Sequence, residues 1–192
     1  MTADQARKLM SPDEFYAWDP GDDERYELVE GYPVKMMSGA SERHDAVVIN
    51  LIAVLHAQLR GSPCRPATAD TAVATRMRTR RRPDVTGTCG PPRADSFEAQ
   101  EPKLVCEVLS PSNKGIAWQR KLEEYRRLEG LAYILLVSIE APQATLLKRS
   151  AAVWESVDFD SLEDVIALPE ISCAIAMRDV FEGMTFEVTE ER

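Results

Sequence analysis

Residues 103–110 read KLVCEVLS, an apolar run of strand length with one acid, Glu107, at its centre. Under strand alternation Val105 and Leu109 share the side of the glutamate, and Cys106 and Val108 take the other. Apolar residues on both sides mark a strand buried on both faces, so Glu107 is expected to be largely withdrawn from water. An ionised carboxylate there is costly unless cations or donors compensate it. Three readings stay open: a partner arginine or lysine on a neighbouring helix, an exposed strand end, or a functional site.

Immediately upstream, residues 76–89 read RMRTRRRPDVTGTC, with five arginines before Pro83 and Asp84 at the entrance to a second strand. Pro83 lacks a backbone donor and suits a strand start or sheet edge. Asp84 reads either as a turn-forming residue or as a second site acid. If its strand neighbours that of Glu107, the two carboxylates suit a hard cation such as Mg²⁺, which binds few side chains and keeps several waters. The chain is acidic overall, with net charge −9, yet residues 60–82 hold seven arginines against Asp70 alone. This basic run is either an exposed hairpin, solvated or paired with the acidic C-terminal part, or a grip for phosphate.

Around this centre the pattern is one of strands alternating with two long helices. Ser11, Pro12 and Glu14 give a short helix its cap, first position and capping box. RYELVEGYPVKMMS reads as two strands joined at Glu30-Gly31, and apolar positions 47, 48, 51, 52, 54, 55 and 59 set a helix over 42–59, stopped by Gly61. Strands follow around ATADTAVATR and PDVTGTC, then the Pro-rich loop CGPPRADSFEAQEPK and the strand that holds Glu107. SPSNKGIAWQRKLEEYRRLEG carries cap residues, a helical pattern and a terminal glycine, and LAYILLVS, ATLLKRS and AVWESVDF continue the sheet. The expected class is α/β (α+β): one domain over residues 1–192, with a mixed β-sheet flanked by helices.

Several chemistries find little support. No run approaches the twenty or so apolar residues of a membrane-spanning helix, and the N-terminus lacks a secretory core, so a cytoplasmic protein with no membrane partner is expected. Cys64, Cys89, Cys106 and Cys173 are scattered without a C-x-x-C pair, which argues against a zinc knuckle and a disulfide framework and favours mostly buried small hydrophobes. His44 and His56 stand twelve apart on one helix and cannot share a metal. Ser41, His44 and Asp45 invite a triad reading, but neighbours in one helical turn do not build a nucleophile-base-orienter line.

YELVEG, the helix opening near SERHDAVV, RPDV, EVLSPS and a downstream K-x-x-x-Y, in this order, resemble the Uma-type family of restriction-endonuclease-like proteins within the PD-(D/E)XK nuclease superfamily. The resemblance covers residues 11–182. It implies a restriction-endonuclease-like fold and a Mg²⁺-dependent endonuclease, with Mn²⁺ as an alternative ion, that hydrolyses phosphodiester bonds of nucleic acid, DNA first. It also implies that Asp84 and Glu107 bind the metal, that Glu27 is the N-terminal acid, and that His44 contacts phosphate or structures the site. The superfamily lysine two residues after the second acid is here Leu109, and Lys121, with Tyr125 one turn later, takes the matching place; Lys114 is a weaker candidate. Without the resemblance Lys121 reads as a solvated helix residue. Arg76, Arg78, Arg80, Arg81 and Arg82 are the candidate phosphate contacts; many nucleases of the superfamily dimerise, so the resemblance allows a homodimer, while the sequence does not fix the oligomeric state. Ala117 and Ala132 stand where many relatives carry acids, so the alternative is an inactive nuclease fold acting as a nucleic-acid-binding or protein-assembly module.

Overall fold

The computed structural model describes residues 9–36, 41–110 and 115–186. Helix α1 (Pro12–Tyr16) opens on the expected capping box: the Glu14 N–H donates to Ser11 Oγ at 3.1 Å and the Ser11 N–H to Glu14 Oε2 at 2.8 Å. Strands β1 (Tyr26–Val29) and β2 (Tyr32–Lys35) form the hairpin turned at Glu30-Gly31. Helix α2 (Glu42–Leu59) follows, and its buried residues Val47, Leu51, Leu55 and Leu59 recur every fourth position, one stripe of the helix.

The expected strand around 67–76 is two strands. β3 (Arg65–Thr68) and β4 (Val73–Arg76) belong to different sheets, because the chain turns between them, with the Thr71 N–H donating to the Thr68 carbonyl at 3.0 Å. The arginine run then supplies β5 (Thr79–Arg81), which pairs with β4 and with β1. A four-stranded sheet results, in the order β2-β1-β5-β4.

The larger sheet has six strands in the order β10-β9-β8-β7-β6-β3, built from β6 (Val85–Thr88), β7 (Pro102–Leu109), β8 (Tyr133–Ser138), β9 (Ala144–Ser150) and β10 (Val153–Phe159) with β3. It is mixed, as expected: β7 and β8 run parallel across helix α3 (Ile116–Arg126), and the other pairs are antiparallel. The N-cap of α3 is Gly115, without a side-chain cap bond. The Ser-Pro-Ser turn expected before this helix lies outside the described residues except for Ser110, and Lys114 lies outside them altogether. The small antiparallel pair β11 (Val165–Leu168) and β12 (Cys173–Ala176) completes the strands, and helix α4 (Met177–Val180) follows.

The core divides at the six-stranded sheet. Leu104, Cys106 and Val108 of β7 pack in one cluster with α2, β11, β12 and α4, whereas Val105 joins Ile134, Leu147, Tyr125 and Leu131 in a second. The odd-even split follows from strand alternation and puts Glu107 on the second side, with α3. The antiparallel pairing of β3 with β6 also brings Cys64 to Cys89, and the two form a disulfide, which corrects the reading of the cysteines as mostly lone buried groups. Cys106 and Cys173 are free and buried, as that reading held. Among the described residues no helix is long and apolar enough to cross a membrane.

Candidate active site

Glu107 sits one residue beyond Cys106, and Cys106 pairs with Val85 across β6 and β7. That register carries Asp84, just before β6, to the same end of the sheet, where its Oδ2 accepts a 2.7 Å bond from the Val108 N–H. Two acids far apart in the chain thereby become neighbours. Glu107 is 3% exposed, and its Oε1 accepts from the Tyr125 hydroxyl at 2.7 Å and from Lys121 Nζ at 2.7 Å. Lys121 and Tyr125 are one helical turn apart on α3, so a single face of that helix delivers both donors.

The same ammonium lies 3.3 Å from Oε1 of Glu27, which arrives from β1 in the four-stranded sheet. Glu27 is itself held: its Oε1 accepts the Arg82 N–H at 2.9 Å and its Oε2 accepts from Arg81 Nη1 at 2.8 Å. The remaining side of the Arg81 fork meets Glu124, with Nε and Nη2 at 2.7 and 3.0 Å from its two oxygens. Such a bidentate geometry is the one a planar guanidinium matches best. Glu124 is fully buried and also accepts from the Thr75 hydroxyl.

These contacts set the ionisation. Burial pushes the Glu107 carboxyl up to about 7, with Asp84 adding to the rise while Lys121 and Tyr125 oppose it. Burial acts the same way on Glu27, but Lys121 and Arg81 outweigh it and hold the carboxyl below the usual glutamate range. Burial disfavours the Lys121 ammonium, yet Glu107 and Glu27 more than offset that and keep it charged. His44, from the first turn of α2, brings Nε2 to 3.4 Å from Asp84 Oδ1; this contact raises its pKa against the effect of burial.

The structure thus gathers Glu27, Asp84, Glu107, Lys121 and His44 at one place. It separates the arginines. Arg81 is buried in the acid cluster; Arg80 meets Glu98 at 2.6 Å; Arg82 reaches the carbonyls of Tyr26, Ala69 and Asp70. Arg76 and Arg78 are exposed. Glu124 escaped the sequence reading, because beside Glu123 it resembles one more solvated helix acid; its spacing from Lys121, three positions along the same face, is the signal that finds it.

Among the described residues no group of three or more His, Cys, Asp or Glu side chains forms a ready metal cage. Asp84 and Glu107 still offer two carboxylates from adjacent strands. That donor set fits a hard cation such as Mg²⁺, which binds through one or two carboxylates and fills its remaining positions with water and substrate oxygen.

A family model described as "Putative restriction endonuclease", Uma2, matches residues 12–177. An uncharacterized protein of Synechocystis is 27% identical over 180 residues, 92% of this chain and 94% of that one. The crystal structure of "a putative nuclease belonging to DUF820" from Anabaena variabilis superposes with a TM-score of 0.68 at 16% identity, covering 90% of this chain and 97% of that one. At that identity the likeness speaks for the fold.

Proposed function

The chain belongs to the Uma2 family, and from that premise we propose that it is a Mg²⁺-dependent endonuclease, able to use Mn²⁺, that hydrolyses phosphodiester bonds of nucleic acid, with DNA the favoured substrate. One observation carries the reading. Glu27, Glu107 and Glu124 are buried together against two cations, Arg81 and Lys121, and Asp84 adds a further carboxylate at the rim. A cluster so short of positive charge suits an added cation and the phosphate it accompanies.

In this reading Asp84 and Glu107 hold the ion. When bound, it neutralises phosphate charge, acidifies attacking water and stabilises the leaving oxygen. The side chains do the rest. Lys121, whose side chain keeps 15% of its surface, donates to the charge that builds on the phosphate and orients water between Glu27 and Glu107. It replaces, from the next helix, the lysine that Leu109 cannot supply. Tyr125 fixes one Glu107 oxygen, and Arg81 with the Arg82 N–H fixes both oxygens of Glu27. His44 steadies Asp84 and lies where phosphate would approach. Contacts to flanking phosphates fall to Arg76 and Arg78.

The test is cleavage of supercoiled plasmid and of short single-stranded and duplex oligonucleotides in Mg²⁺, Mn²⁺ or EDTA. Nicking that needs a metal and falls about 10²–10³-fold in Lys121→Met supports the site, since loss of one preorganised donor has that cost. Asp84→Ala and Glu107→Ala are expected to abolish cutting. Cleavage that persists equally in EDTA or in both alanine variants overturns the site. Salt-sensitive binding without any cutting would favour the inactive binding module instead.

A further inference from the structure

At the tip of the β4–β5 hairpin, Met77 is 88% exposed, the largest exposure among the large apolar residues of the described chain, and Arg76 and Arg78 flank it. We propose that this tip is a wedge whose methionine enters a duplex DNA base step while the two arginines take the phosphates on either side. The inference rests on the nuclease reading only for its placement beside the cutting centre.

The tip is short and braced. Arg76 pairs with Thr79 in the ladder, so Met77 and Arg78 alone form the turn. Beneath it the Arg80 guanidinium donates through Nη1 to the carbonyls of Arg76, Met77 and Thr79 at 2.9, 3.4 and 3.0 Å, and through Nε to Glu98. From the other side the Gly31 N–H donates to the Arg78 carbonyl at 2.8 Å, and the Glu30 N–H to the Thr79 hydroxyl at 3.1 Å. A turn whose backbone is braced this way loses little main-chain freedom when it binds, so the ordering cost falls on the methionine side chain alone. Methionine is unbranched and polarizable, and apolar side chains of its kind insert between base steps where arginines hold the backbone.

Charge and position agree with this occupant. The acids near the tip are already engaged: Glu98 holds Arg80 at 2.6 Å, and Glu30 lies 3.5 Å from Arg76 and 4.0 Å from Arg120, while Arg78 has no carboxylate partner among the described residues. Arg120 precedes Lys121, so the tip stands beside the helix that carries the proposed catalytic lysine. Met77 is four residues from Arg81, at most about 14 Å of chain, or about four base steps at ~3.4 Å each. A lipid surface fits less well, because one methionine buries less apolar surface than a single acyl chain, which itself anchors only marginally.

The experiment uses duplex oligonucleotides with 2-aminopurine at successive positions, in EDTA so that nothing is cut. Wild type is expected to raise the fluorescence of one position by unstacking it. Met77→Ala should bind within about threefold of wild type, since the phosphate contacts remain, yet lose most of that rise; Arg78→Ala should weaken binding and flatten its salt dependence. No duplex binding, no rise on binding, or an undiminished rise in Met77→Ala overturns the wedge. So does a blue shift of Met77→Trp emission with anionic vesicles and not with duplex. The two proposals fail separately: metal-dependent cutting by a protein that never unstacks its duplex sinks the wedge alone, and unstacking without metal-dependent cutting sinks the nuclease alone.

Discussion

The two faces of the six-stranded sheet are buried by opposite means. On the α2 side Val47, Leu51 and Leu55 meet Leu104, Cys106 and Leu135, all fully buried and all apolar. On the α3 side Val105, Ile134 and Leu147 share their layer with Tyr125, and beyond them lie Glu27, Arg81, Glu107 and Glu124, each less than a tenth exposed. The first face gains stability from area removed from water. The second gives some of that up, because buried ion pairs seldom repay their desolvation, but it fixes charges in one geometry. The difference separates what holds the fold from what positions the site.

The largest effect that could break this contrast is expected at Arg81. Arg81→Met leaves Glu124 buried without its cation and Glu27 with Lys121 alone, and should cost about 3–5 kcal/mol, measured by urea unfolding; a loss below about 1 kcal/mol would mean that the cluster is solvated and the two faces alike. Next comes Leu51→Ala on the dry face, with about 3 kcal/mol lost to the cavity and transfer terms while cutting per folded molecule stays unchanged. Loss of cutting there, with the fold intact, would erase the division of labour.

Smaller still, Tyr125→Phe removes a single donor from Glu107 and is expected to cost about 1 kcal/mol of stability, with a clear fall in cleavage rate at unchanged substrate affinity. The smallest effect concerns Glu27. Its folded pKa lies below its unfolded value, so its contribution is fully present above the unfolded pKa, about 4.3, and is lost as pH falls through the folded value. Unfolding free energy should therefore decline toward acid pH less steeply in Glu27→Gln than in wild type. Equal slopes would show that Glu27 is not held by Lys121 and Arg81.

How far the site could be read ahead of the structure depends on the kind of signal each residue carries. The burial of Glu107 follows from one strand's alternation, and α2 from a seven-position stripe; both are local patterns. Asp84 was a candidate, but its nearness to Glu107 is a matter of β6–β7 register. Lys121 stood out by family resemblance, since by spacing alone it is one more helix lysine. Arg81 and Glu124 look like surface charges, because nothing local records which of several adjacent arginines a hairpin turns inward. The Cys64–Cys89 pair is of the same kind, set by the β3–β6 pairing.

By itself, the order of residues determined the periodicities: most of the runs that become strands and helices, and that one acid stands at the centre of an apolar strand. Only the tertiary structure decided that Lys121, and not an arginine of the basic run, would answer that acid, and that Arg81 would be drawn inside while Arg76 and Arg78 stayed out. The physical reason is range. Alternation and helical pitch act over a few residues, whereas the pairing of buried charges is settled by strand register and helix placement across the whole fold.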